Sequence, residues 1–510
     1  MISFAIFLPL AAGLLILVLP ARRATLMRGV ALGAALITLG ISALFVADAI
    51  RAPLAGLQYT ERLDWLPPLG SSYIVGVDGL SAPLMALTAL LTTLVFIYSW
   101  RMTVHVRAWL FLFLVLETGL LGVFAIQDLL LFYLFFEVSL VPMYFIIGVW
   151  GDVSAKQAAL KFFLYTRAGS LAMLLGFLGL YLGVTPHTFD LATIVAAQPY
   201  AKDALAGGLI LLALLLGFGV KLPIVPLHSW LPAAHVEAPT GGSVLLAGVL
   251  LKLGGYGLIR IALPALPGAF GAWAWPIGIV AVVSIVYGAA VAFAQSDLKR
   301  MIAFTSVNHM GYVLLGIVAA AAAGIASAPG RIGLIGATLQ MVSHGLITGG
   351  LFFAVGMLQD RAGTRIIARI AGLWSAVPAY ATLVAILFLG SLGLPALSGF
   401  VSEFQVFAGA LGSVPPLAAV GLVGVGITTA MFLVVLQRMF AGTPRLPEEG
   451  ALATGTAHGR NLPWVDLGPR ELLVLVPLVG LVILIGVLPG PLTSAIDGAM
   501  TLLAGSQAGR

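Results

Sequence analysis

Two of the six lysines in this sequence, Lys221 and Lys252, fall within or at the end of apolar runs long enough to cross a bilayer. Glu117, Glu137 and Glu403 lie in other such runs, and His309 and His344 are titratable company for them. An ionised Lys, Asp or Glu at the centre of a membrane helix costs ~2.5–3.5 kcal/mol on insertion scales. Such residues persist when they are partnered, hydrated or used. Carboxylates, amines and imidazoles are groups that accept and release protons, so the chemistry this set offers is proton transfer at mid-membrane depth. Glu117 and Glu137 each stand about ten residues from the turn Gln127-Asp128, which puts them ~15 Å inside the hydrocarbon core. Lys252 precedes Arg260 by two helical turns, and with Arg260 at the surface it sits ~12 Å inside.

Each residue also has a purely structural reading. Glu117 would satisfy nearby hydroxyls or backbone groups. Glu137 and Lys221 would form an ion pair that only locks helices. Lys252 would stretch its ammonium to the surface, and His309 and His344 would hydrogen-bond between helices. Arg167, placed near the inner end of its helix, reads as a lipid or interhelix anchor. His228, His235 and Glu237 are spaced like metal ligands, but the flanking prolines favour a helical turn at the membrane edge.

The elements that carry these groups follow from composition. The chain is 61% hydrophobic and 9% charged over 510 residues, against about 25% charged in a soluble domain. Apolar segments fall near 2–20, 26–47, 79–98, 108–126, 129–149, 159–183, 205–224, 239–261, 274–294, 301–321, 332–358, 378–412, 415–441 and 471–489. The class is an all-α polytopic membrane protein. The 378–412 stretch is too long for one straight span and contains Pro395 and Ser398-Gly399, so a broken helix is expected there. A second break is expected at Lys221-Leu-Pro-Ile-Val-Pro226. Breaks beside ionisable residues are a pointer to a transport site. Met1–Pro20 has no basic residue before its apolar run and reads as a membrane helix rather than a signal peptide.

Alternate connections, beginning with 21–28, carry 16 Lys and Arg against 6 in the others. That bias places the first set in the cytoplasm and both termini outside. The 48–77 connection is net acidic and the 442–470 connection is Pro/Gly-rich, and neither reads as a separate domain. No cysteine is present, which excludes cysteine-ligated iron–sulfur clusters, disulfides and thiolate catalysis on this chain. No Gly-rich strand–turn–helix nucleotide fingerprint appears.

Several motifs are held in common with a known family. They are Asp78-Gly-Leu-Ser-Ala-Pro-Leu-Met85, Phe132-Tyr-Leu-Phe-Phe-Glu137, the long run Lys221–Thr240, Leu250-Leu-Lys-Leu-Gly-Gly-Tyr256 and Ser296-Asp-Leu-Lys-Arg-Met-Ile-Ala303. On these the chain resembles the antiporter-like membrane subunits of bacterial respiratory complex I, the proton-pumping NADH:quinone oxidoreductase. Glu403, where sister chains and Mrp-type antiporters carry Lys, points within that family to the chain M kind. The resemblance implies about fourteen transmembrane helices in two inverted five-helix repeats, helices 4–8 and 9–13, with helices 7 and 12 broken. Residues 1–107 would hold helices 1–3, 108–262 the first repeat, 263–441 the second, and 442–510 a cytoplasmic loop and helix 14. It also implies that Glu137 is the carboxylate paired with a pumping Lys221, Lys252 a central relay and Glu403 the distal site. His309 and His344 would belong to the joining polar axis, and Glu117 to a matching carboxylate position.

As implied by the resemblance, the function is proton translocation driven by redox chemistry on other subunits, in a bacterial inner membrane. NADH, FMN, iron–sulfur clusters and quinone are expected on partner chains. The expected partners are other complex I membrane subunits, above all two sister antiporter-like chains, together with lipid; no nucleic acid is expected. Rival readings are a subunit of an Mrp-type Na⁺/H⁺ antiporter or membrane-bound hydrogenase, a structural scaffold, and a quinone-binding chain. A scaffold predicts that neutralising Lys221 or Lys252 harms assembly and spares transport.

Overall fold

The computed structural model describes residues 1–20, 22–445 and 465–508. Among these, twelve helices are long and apolar enough to cross a membrane, and two shorter apolar helices, Ile2–Val18 and Pro378–Ser391, complete the set of fourteen. Each expected segment has its helix. Most of the expected 442–470 connection lies outside the described residues.

Both expected breaks are present. Helix Ala204–Lys221 stops at Lys221, and the chain resumes as the short helix Trp230–Glu237 after a stretch containing a cis Val225-Pro226 bond. Helix Pro378–Ser391 stops and restarts as Ser398–Ser413. Pro223 and Pro395 lack the N–H that a continuing helix needs, and Gly393 takes a positive φ of 78° at the second break.

The connections sort into two faces by their own hydrogen bonds. On one, Asp152 N–H donates to the Glu237 carbonyl at 2.8 Å and Leu298 N–H to the Arg365 carbonyl at 3.0 Å. Arg365 pairs with both Asp152 (3.0 Å) and Asp297 (2.5 Å), joining connections from the two halves of the chain. Asp466 caps helix Pro378–Ser391 from a distance, accepting the N–H groups of Ala379 (2.7 Å) and Tyr380 (3.0 Å). Partial burial pushes the Asp466 carboxyl up, but these bonds and that of Leu467 N–H outweigh it and hold the group below the usual carboxylate range. The residues of this face are those of the basic set.

On the opposite face, Gln127 N–H donates to the Ile74 carbonyl (2.8 Å), Phe189 N–H to Gly70 (3.0 Å) and Leu191 N–H to Gln127 (3.0 Å). The N-terminal ammonium meets Glu61 at 2.7 Å. Alternation of the two faces along the chain therefore agrees with the basic-residue pattern.

Two elements on this second face were not expected. Residues 48–77 read as an acidic loop, yet Gln58–Leu66 and Ser71–Val77 form an antiparallel hairpin turned at Pro67–Leu69. Its first strand, QYTERLDWL, is charged and largely exposed, so hydropathy does not tell it from a loop. After the fourteenth spanning helix, Gly490–Ala508 forms a further helix, held by an Arg331–Asp497 pair at 2.6 Å. Gly79 sits so close to the Ala495 carbonyl that a methyl group there would overlap it. Gly79→Ala is expected to release helix Gly490–Ala508, read as faster amide hydrogen exchange in that segment with the spanning helices unchanged.

Helices Thr240–Ala265, Leu298–Ala323 and Ala328–Ala362 are wholly buried over their apolar windows, whereas helix Ala24–Arg51 buries only 33%. These three form the centre, and they carry Lys252, His309 and His344.

Candidate proton-transfer site

Helix Thr240–Ala265 is not a regular α-helix: Leu246–Leu250 and Leu258–Ala262 are π turns. A π turn inserts one residue and shifts the carbonyls of the turn out of the regular ladder, a device found often at functional sites. The Lys252 ammonium donates to the Ala247 carbonyl of the first π turn and to His344 Nδ1, the latter at 2.7 Å. Lys252 is fully buried, so its side chain does not stretch to the surface. Gly254 lets this helix lie against the end of helix Ala204–Lys221, where a methyl group would overlap the Phe218 carbonyl oxygen.

From Lys252 the buried polar groups continue in one direction. His344 Nε2 lies 3.1 Å from Ser306 Oγ, and its ring centroid is 5.3 Å from that of His309. His309 Nε2 lies 3.2 Å from the Ser391 carbonyl, at the end of the first half of the broken helix, and 4.0 Å from Glu403 Oε1. Glu403 is one turn into the second half. Lys252, His344, His309 and Glu403 thus form one line from the centre of the chain to the second break, each no more than 7% exposed.

The first break differs from expectation. Glu137 does not pair with Lys221. Its Oε2 accepts from Arg167, which also donates to Tyr133 at 3.1 Å. Arg167 stands near the middle of helix Ala155–Leu182 rather than at its inner end, and so is the nearer cation. Among the described residues the Lys221 ammonium has no hydrogen-bond partner. It sits over the Phe136 ring at 4.8 Å and the Phe162 ring at 5.8 Å. A cation is favoured there by the ring faces and by the negative end of the helix it terminates.

Glu117 is buried with neither carboxylate oxygen hydrogen-bonded, so the nearby hydroxyls do not satisfy it. Arg260 is not at the surface: it is buried and pairs with Asp78 at 2.5 Å, while its Nε donates to Tyr256 Oη at 3.3 Å. With Arg260 inside, Lys252 lies near the middle of its helix, deeper than the spacing indicated. His228 and His235 face different ways, the first against Tyr287 and the second stacked on Phe352 at 4.6 Å. Among the described residues no group of three or more His, Asp or Glu is arranged to hold a metal ion.

A family model described as NADH:quinone oxidoreductase/Mrp antiporter, TM matches residues 126–428. The chain belongs to this family. It is 39% identical to the NADH-quinone oxidoreductase subunit M of Rhodobacter capsulatus, with 99% of this chain and 96% of that one covered. It is 40% identical to NAD(P)H-quinone oxidoreductase chain 4 2 of Thermosynechococcus vestitus, covering 98% and 90%. Its fold is similar to a chain of respiratory complex I from Thermus thermophilus, with a TM-score of 0.85, 32% identity and full coverage of both chains. A chain of the Mrp complex from Dietzia shares the fold at a TM-score of 0.83 and 23% identity, with 99% and 98% covered.

In this antiporter-like subunit the sequence flagged every titratable member of the central line. It does not give Arg167 as the partner of Glu137, or Asp78 with Arg260, because distance from a helix end puts both arginines near the membrane surface. Their signal is the charge itself: each is an arginine inside a predicted membrane helix, which calls for a buried acid. The π turns left no mark in the sequence.

Proposed function

We propose that this antiporter-like subunit translocates protons, taking them up beside Lys221 and passing them through Lys252, His344 and His309 to Glu403. The observation that carries this reading is the single buried line from Lys252 to Glu403. Burial disfavours an ammonium and a nearby carboxylate favours it, so moving or neutralising the carboxylate toggles a lysine between holding and releasing a proton. Moving one charge against a potential of about 180 mV needs ~4 kcal/mol. That corresponds to a swing of about three pKa units, within the range a buried pair can supply.

Arg167 gives the toggle a second position. With Glu137 drawn to Arg167, Lys221 loses its anion and is primed to release its proton onward. With Glu137 turned toward Lys221, the ammonium is retained. The driving redox chemistry, with NADH, FMN, iron–sulfur clusters and quinone, belongs to partner subunits, since this chain has no cysteine and no nucleotide fingerprint. The basic face is cytoplasmic and both termini face outward from a bacterial inner membrane, the orientation the positive-inside bias favours.

The test uses the assembled complex in liposomes, with NADH-driven proton uptake followed by a pH-sensitive dye. Glu137→Gln is expected to lower proton uptake at least about tenfold, the effect of ~1.4 kcal/mol on the step it controls. Glu137→Asp is expected to do less harm. Arg167→Met, which frees Glu137 to stay with Lys221, is expected to slow release. Unchanged pumping in Glu137→Gln would remove Glu137 from the mechanism.

A further inference from the structure

A pocket of about 530 Å³ opens on the basic face, away from the central line. Lys161 near the start of helix Ala155–Leu182, Arg300 near the start of helix Leu298–Ala323, and His228 and Ser229 in the first break line it. Lys161 and Arg300 are exposed, and neither makes an ion pair among the described residues. His228 is only 8% exposed, yet its Nδ1 has no hydrogen-bond partner. The carboxylate in the lining, Glu237, accepts the Ser154 N–H at 2.7 Å and, set against Lys161 and Arg300, leaves the lining one net positive charge. Two cations without an acidic partner, Lys161 with its ammonium 5.9 Å from the Tyr165 ring centroid, and a buried imidazole nitrogen unpartnered among the described residues are complementary to a phosphate group.

The surface below the pocket identifies the kind of phosphate. Leu164 is one turn deeper than Lys161 and is 57% exposed. Val283 and Ile279 are one and two turns deeper than Tyr287 and are 44% and 54% exposed. An apolar strip therefore runs from the cationic opening toward the middle of the membrane, as a lipid with its phosphate at the opening requires. Tyr287, at the junction, presents an apolar ring and a polar tip of the kind that settles at headgroup depth. We propose that this pocket binds the phosphate of one anionic phospholipid, whose acyl chains lie along the strip.

The assembled complex, purified in mild detergent, is stripped of lipid and titrated with phosphatidylglycerol, and bound lipid is counted by native mass spectrometry. The variant carrying both Lys161→Gln and Arg300→Gln is expected to need well over about tenfold more lipid for half-saturation of this site, since each lost charge-assisted contact is by itself worth about that ratio. Lys161→Arg is expected to bind as the parent does, and Lys161→Gln alone to lie between. Inorganic phosphate at millimolar concentration is expected not to displace the lipid. Equal binding in parent and double variant would overturn the site. So would displacement by inorganic phosphate, which marks a soluble anion, or loss of a partner chain in place of lipid, which marks a protein surface.

Discussion

Lys252→Met is expected to reduce NADH-driven proton translocation by the assembled complex to background, a fall of more than about tenfold, while the chain still inserts and assembles. Met has nearly the length and volume of the lysine stem, and swaps that conserve volume cost less than about 1.5 kcal/mol. Packing against the π turn is therefore kept. The donor to His344 Nδ1 and the Ala247 carbonyl is removed. No other amine or carboxylate contacts His344 among the described residues, and besides the His309 ring on the exit side its hydrogen-bonding neighbours are Ser306 and Thr348. A neutral hydroxyl does not store a proton near neutral pH, so the line is cut on the uptake side. Proton movement at the parental rate would end the relay assignment. Failure to assemble, with normal pumping in whatever complex does form, would favour a scaffold.

The second large effect lies off the line. Asp78→Asn is expected to destabilise the subunit by about 3–5 kcal/mol, because it leaves Arg260 as a buried charge without its anion. Arg260 and Asp78 have side chains only 7% and 8% exposed. Combining Asp78→Asn with Arg260→Met is expected to recover most of that loss, since replacing both members of a buried pair is close to neutral. Thermal unfolding of the complex in detergent checks both. Were the single variant as stable as the double, the pair would not be what holds helix Ala82–Tyr98 to helix Thr240–Ala265.

Hydropathy located all fourteen spanning helices because their length and apolar content are imposed by the bilayer. The breaks after Lys221 and Ser391 were legible because proline leaves no choice of backbone there. Legibility ended where the outcome depends on which neighbour a helix meets. Glu137 could reach Lys221 or Arg167, and sequence spacing holds no information on the rotation of helix Ala155–Leu182 that decides for Arg167. Arg260 looks like an interfacial residue in sequence because the π turn it stands in and the Asp78 that pairs with it are tertiary features. The hairpin Gln58–Val77 and the helix Gly490–Ala508 cover the membrane ends of other helices, and their burial comes from those partners rather than from a pattern of their own.

The spacing of the central groups also bears on insulation. A respiring membrane holds its voltage only if nothing bridges it continuously, and a standing proton wire would short-circuit it. The 4.0 Å separation of His309 from Glu403 exceeds a hydrogen bond, and the two imidazole rings are set edge to face at 76°. On the proposed reading, a proton crosses these two contacts only when a side chain turns or a water molecule bridges the groups. Under the proposed function, gating of these two contacts is what keeps the subunit a dielectric between strokes and a conductor during one.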